Sequence, residues 1–249
     1  MIDSLKKFYR FFDDDTLYYS ASLSFFTIFS LLPILALIIA IMSSHPVFSD
    51  QIDILIIYVL DFVNPTHSQQ VSNSIQNFLT NIDKLGNLGI FYLIFVFIMF
   101  FKDYEYVVSK IHNTQKRNFF SMVFLYVALL FLVPILLAIF SFVSTLLNKN
   151  IQLFLNFISG LFLITLLFKL SVNKFVSLKA SFYAAFITVI SLKLTQTLFL
   201  YYIFYNTTYS TIYGTLSGLL FMFLWIYISW AIYLYGVKFC HILNIRYLD

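Results

Sequence analysis

Apolar residues run along this chain in blocks far longer than the stripe of a surface helix or the alternation of a half-buried strand. Six blocks approach or exceed the ~20 mostly apolar residues that carry an α-helix across a bilayer. They lie at about 17–42, 86–108, 122–147, 151–170, 180–202 and 212–240. The second is strictly apolar only to Phe101, but Tyr104, Val107, Val108 and Ile111 keep helical spacing, which predicts a helix that projects beyond the membrane. The sixth is long enough to tilt or overhang. The predicted fold is therefore all-α: one polytopic membrane bundle over residues 1–249, with six transmembrane helices.

The connection at 43–85 has a different pattern. Asp50 can cap a helix that runs toward Phe62, and Asn64-Pro65 marks its end. Val71, Ile75, Phe78, Leu79 and Ile82 then form a single apolar stripe, as expected of a second, amphipathic helix. Such a pair of outer-loop helices between spans 1 and 2 lies on the membrane surface or caps the bundle. It also offers a contact surface for an envelope protein partner.

Composition agrees with a membrane environment: 61% of the residues are hydrophobic and only 10% charged, too apolar for a water-soluble domain of this length. The net charge of +4 says less than its placement. Lys6, Lys7, Arg10, Lys102, Lys110, Lys116, Arg117, Lys169, Lys174, Lys179, Lys238 and Arg246 fall on one side of the six blocks, against Lys84 and Lys149 on the other. That asymmetry puts both termini in the cytoplasm. It also accounts for the basic residues without nucleic acid as a partner. The first block is longer than a signal-peptide core and has no A-x-A pattern after it, so it is expected to be retained as a span. Cys240 is the only cysteine, which rules out an internal disulfide and a thiolate zinc site.

Lys193 falls inside the fifth block, ~20 Å from the cytoplasmic end at 1.5 Å per residue. A charge there costs on the order of 2.5–3.5 kcal/mol unless it meets water or a partner, or snorkels to the surface. One reading makes it the cation of a polar cavity that receives an anionic substrate group. Gln196, one turn on, shares its face. Pro33 and Pro134 free the carbonyls of Phe29 and Leu130 near the same depth, where Ser30, Ser217 and Gly218 also fall. Ser20, Ser24 and Thr27 make a small polar face on the first span, and Gly214 to Gly218 is a G-x-x-x-G of the kind that packs helices closely. Asp103 and Glu105, beside Lys102, are expected at a solvated helix end. Tyr201, Tyr202, Tyr205, Tyr209 and Tyr213 suit an outer aromatic belt. The scattered histidines, and the lack of a carboxylate cluster or phosphate-binding glycine loop, predict no catalytic residue, no metal site and no cofactor.

Two stretches carry more than composition. The segment 21–33, Ala-Ser-Leu-Ser-Phe-Phe-Thr-Ile-Phe-Ser-Leu-Leu-Pro, resembles the first-span signature of the YihY/BrkB family, once labelled ribonuclease BN-like. Tyr213-Gly214-Thr215-Leu216, with Trp225-Ile226-Tyr227 and Gly236, resembles its last-span signature. Glu105 matches a glutamate of the family and Asn173 an asparagine. Ser109, Val172 and Lys238 stand where the family commonly has asparagine, proline and glutamate. The resemblance implies a multi-pass protein of the bacterial inner membrane with suspected roles in export or lipid handling. The old nuclease label finds no support in these residues.

Two readings follow. In the first, the protein is a transporter, exporter or lipid flippase-like protein that takes membrane lipids or another anionic amphiphile or solute through a polar cavity. In the second, it is a non-transporting envelope scaffold that works through the 43–85 connection. An enzyme is not expected.

Overall fold

The computed structural model describes residues 15–43, 56–57, 60–61, 63–65, 68–81, 86–145, 149–206, 211 and 213–248. Among these residues there is no strand. The helices are α1 (Thr16–Ser43), α2 (Gln69–Thr80), α3 (Gly86–Ile111), α4 (Phe119–Thr145), α5 (Lys149–Leu170), α6 (Leu178–Tyr205) and α7 (Ser217–Leu248), the last preceded by a 3-10 turn at Gly214–Leu216. Most of the 50–62 segment, where the first loop helix is expected, lies outside the described residues.

The six long helices close into a ring: α1 packs on α3, α3 on α4, α4 on α5, α5 on α6, α6 on α7, and α7 on α1, with α7 also reaching α3. Each long helix packs on the next, α1 and α3 across the long 44–85 connection, and α7 closes the circuit against the first helix. The short α2 lies against α1 and α7, with Val71 and Ile75 buried in a cluster that includes Leu35, Met222 and Ile226.

The interior holds large apolar side chains such as Leu23, Phe168 and Leu234, but unlike a soluble bundle the outside is apolar too. Ser20, Ser181 and Thr188 are buried on inward faces, whereas Tyr18, Phe91, Phe124, Phe182, Leu194 and Phe204 stand on the outside. In lipid, apolar side chains gain nothing by facing each other, so close contact is made by small residues instead. On α6 these are Ala180, Ser181, Ala184, Ala185 and Thr188. Opposite them on α7, Gly236 sits so close that an added Cβ would meet Thr188 Oγ1 and come within 2.9 Å of Phe168 Cζ.

Three helical segments among the described residues are long and apolar enough to cross a membrane: Phe119–Leu137, Leu178–Tyr205 and Ser217–Tyr247, with mean hydropathies of 2.7, 1.4 and 1.8. Phe154–Leu170 is a shorter apolar helix. The described residues are therefore a helical bundle in which several helices have the length and apolarity of membrane spans.

Candidate functional site

A buried charge centre lies where α3, α4 and the end of α5 meet. Glu105, on α3, is 2% exposed and Arg117, just before α4, is 14% exposed. They form an ion pair with Nη1 3.0 Å from Oε2 and 3.4 Å from Oε1. The Arg117 backbone N–H donates to Oε1 at 3.2 Å, and the Tyr126 hydroxyl of α4 donates to Oε2 at 2.6 Å. The chain makes this possible by turning sharply after α3, with Asn113 at φ 50°. That left-handed residue, tolerated by asparagine, returns the chain so that Arg117 lies over Glu105.

Arg117 has a second task. Its guanidinium donates to the carbonyls of Leu170, Ser171 and Val172 at 2.6, 2.7 and 2.7 Å. The last carbonyls of a helix lack intrahelical donors and carry its negative dipole end, so a cation there satisfies both needs. One side chain thus neutralises a buried carboxylate and caps α5.

Polar contacts continue inward. The Tyr104 hydroxyl is 2.8 Å from Ser171 Oγ and 2.5 Å from the Tyr233 hydroxyl of α7. The Trp230 indole N–H donates to Thr27 Oγ1 at 2.8 Å. Aromatic rings insulate the line: Tyr126 stacks on Phe101 at 4.5 Å between centroids, and Tyr104 lies 6.0 Å from Trp230. Ser22 donates to Asp103 at 3.0 Å, fastening α1 to α3. Just past α3, His112 is buried with its ring 4.8 Å from that of His241. Burial, then the nearby His241 and Lys174, pulls its imidazole down to about 3, so it stays neutral at cellular pH.

The residues singled out from sequence scatter over several places. Ser24 and Ser30 are buried, Thr27 is half-buried, and each hydroxyl donates back to its own helix, to Ala21, Thr27 and Leu23 respectively. Thr27 also meets the central group through Trp230, whose ring packs on those of Tyr104 and Tyr233. Lys193 does not join it: it is exposed on the outer face of α6, with Nζ 3.4 Å from Gln196 Oε1. A helix with no single polar side gives no sign of which face turns inward, and here the small residues take that face. Ser217 donates to the Gly214 carbonyl at 2.7 Å. Gly218 packs closely, since an added Cβ would meet Ser68 Oγ and lie 2.8 Å from its Cβ. Gly214 has open space there and instead takes φ +53° at the turn into α7. α1 and α4 run through positions 33 and 134, while the side chains of Pro33 and Pro134 lie outside those described. Glu105 corrects the expectation of a solvated helix end, because Arg117 and Tyr126 enclose it.

Residues 7–248 match the family described as Virulence factor BrkB. The chain belongs to the BrkB family. It is 29% identical to a UPF0761 membrane protein of Haemophilus influenzae, over 94% of this chain and 92% of that one. A UPF0761 membrane protein of Aggregatibacter aphrophilus is 28% identical over 95% of this chain and 90% of its own. One from Legionella pneumophila is 25% identical over 96% of this chain but 61% of its own length. No solved structure matches.

In this BrkB-family bundle the central residues missed by sequence reasoning are Arg117, Tyr126, Tyr104, Ser171 and Tyr233. A signal for Glu105 was present. Phe101, Glu105, Val108 and His112 fall at i, i+4, i+7 and i+11, which puts the carboxylate on the inward stripe of α3. Among the described residues no group of three or more His, Cys, Asp or Glu could hold a metal ion.

Proposed function

We propose that this protein is a six-span, non-enzymatic transporter or flippase-like protein of the bacterial inner membrane, with both termini cytoplasmic. Its cargo is an anionic amphiphile or solute. The observation that carries the reading is the Glu105–Arg117 pair, enclosed at the α3–α4 turn of the helix ring and clasping the end of α5. Enclosing an ion pair costs desolvation that its hydrogen bonds must offset, so its retention is a reason to look for a switching role. A transporter needs an element with two arrangements. The clasp supplies one: Arg117 bound to α5 closes the cytoplasmic end, and its release would free α5 from α3. Farther along α1, ~12 to 21 Å from Thr16 at 1.5 Å per residue, Ser24, Thr27 and Ser30 place small hydroxyls on the inner side of the helix.

The test is flux in vesicles reconstituted with the purified protein, using fluorescent anionic phospholipids and small organic anions. Transport predicts translocation at least tenfold faster than in protein-free vesicles, and a changed rate in Glu105→Gln. Rates at the protein-free level for every anion would sink the reading.

One observation favours a scaffold instead. Gln69, Gln70, Asn73, Ser74, Gln76 and Asn77 present an exposed, uncharged amide and hydroxyl face on α2, suited to a hydrogen-bonding envelope partner. Site-specific cross-linkers along 69–77 would capture a defined protein in that case.

A further inference from the structure

Lys193 carries a charge that the surrounding helices leave without a counter-ion. It is exposed on α6, between Ile190 and Leu194, which are exposed as well. α6 packs mainly on α5 and α7, and none of these three helices contains an aspartate or glutamate. Gln196 Oε1 takes one ammonium N–H at 3.4 Å. The Thr197 hydroxyl is turned to the Lys193 carbonyl at 3.0 Å. What remains is a set of donors: the other ammonium N–H groups and the Gln196 amide. Such a cluster, in an apolar rim, complements an anion.

Depth selects the source of the anion. Lys193 lies ~22 Å along the helix from Leu178 and ~18 Å from Tyr205. In a hydrocarbon layer of ~30 Å its Cα falls several ångströms short of the outer boundary, within reach of an extended lysine. A second copy related by a two-fold axis would set this cation against itself, with no acid on α6 to offset it.

We propose that Lys193 and Gln196 form a site for the phosphate of an anionic phospholipid of the outer leaflet, with the acyl chains against Ile190 and Leu194. The site rests on the part of the preceding reading that has α6 cross the membrane from the cytoplasm. It needs no flux.

The experiment is native mass spectrometry of the detergent-purified full chain titrated with phosphatidylglycerol or with phosphatidylcholine. The wild type should retain phosphatidylglycerol at least tenfold more tightly. Lys193→Gln should lose that preference without a change in melting temperature, and Lys193→Arg should keep it. Equal retention of the two lipids by the wild type, or an undiminished preference in Lys193→Gln, would overturn the proposal. So would displacement of phosphatidylglycerol by millimolar inorganic phosphate, which would assign the site to the free anion, or a wild-type dimer that Lys193→Gln dissociates. Because the readout is retention, absent flux in vesicles would remove the transport reading and leave this site standing.

Discussion

Removing the guanidinium of Arg117 should cost more stability than removing the carboxylate charge of Glu105, and the two losses should not add. In Arg117→Met, Glu105 stays buried at 2% exposure with only Tyr126 as a side-chain donor, and three carbonyls at the end of α5 lose theirs. Breaking a buried pair by deleting one partner costs about 3–5 kcal/mol. Each orphaned carbonyl adds on the order of 1 kcal/mol where water cannot reach it. Glu105→Gln keeps the shape and an acceptor for Tyr126, and leaves Arg117 its carbonyls, so its expected cost is about 1–2 kcal/mol. The double variant Glu105→Gln/Arg117→Met no longer strands a charge, and should be more stable than the sum of the single losses by at least about 2 kcal/mol. The assay is reversible denaturation in mixed micelles, followed by tryptophan fluorescence. Additivity within about 0.5 kcal/mol would refute the view that the two residues act as one unit.

Other outcomes follow from the same contacts. Gly236→Ala should destabilise the α6–α7 contact by about 1–3 kcal/mol, because the new methyl group meets Thr188 and Phe168. Gly160→Ala, which has open space around it, should be neutral or stabilise by up to about 1 kcal/mol through helix propensity; chemical denaturation compares the two. His112 has a folded-state pKa below its unfolded value, so the unfolded chain takes up the extra proton as pH falls through 6.5 toward about 3. Stability should be flat above pH 6.5 and decline by about 2 kcal/mol between 6.5 and 5 at 1.36 kcal/mol per unit. Denaturation curves of wild type and His112→Leu at the two pH values check this, since the substitution should remove most of the slope. Trp230→Phe loses the donor to Thr27 and should cost about 1 kcal/mol beyond its packing change, readable against Thr27→Val in a double-mutant cycle.

Most of the long helices were legible because each holds a long apolar block, and α3 because its helical spacing continues past Phe101. Facing was not. α4, α6 and α7 have no single polar side, so the pattern that orients a surface helix is missing, and the position of Lys193 could be counted along α6 but not around it. Small residues held the missing information: Ala180, Ala184 and Thr188 mark the inner face of α6, and Gly236 its partner on α7. The charge centre stayed hidden for another reason. Arg117 reads as one more cytoplasmic cation and Glu105 as one more helix-end carboxylate, and only the turn at Asn113 makes them neighbours. Gly214 and Gly218 share one motif yet differ in role, since the left-handed residue ends the regular spacing that the motif presumes.

The separation of Glu105 and Arg117 by only twelve residues bears on how the molecule is made. Both belong to the hairpin of α3 and α4, whose turn leaves the ribosome ahead of α5. The two charges can therefore pair within the hairpin alone, with no contribution from later helices. The arriving α5 then finds a guanidinium already oriented to receive its terminal carbonyls, so the order of synthesis matches the order in which the bonds can form.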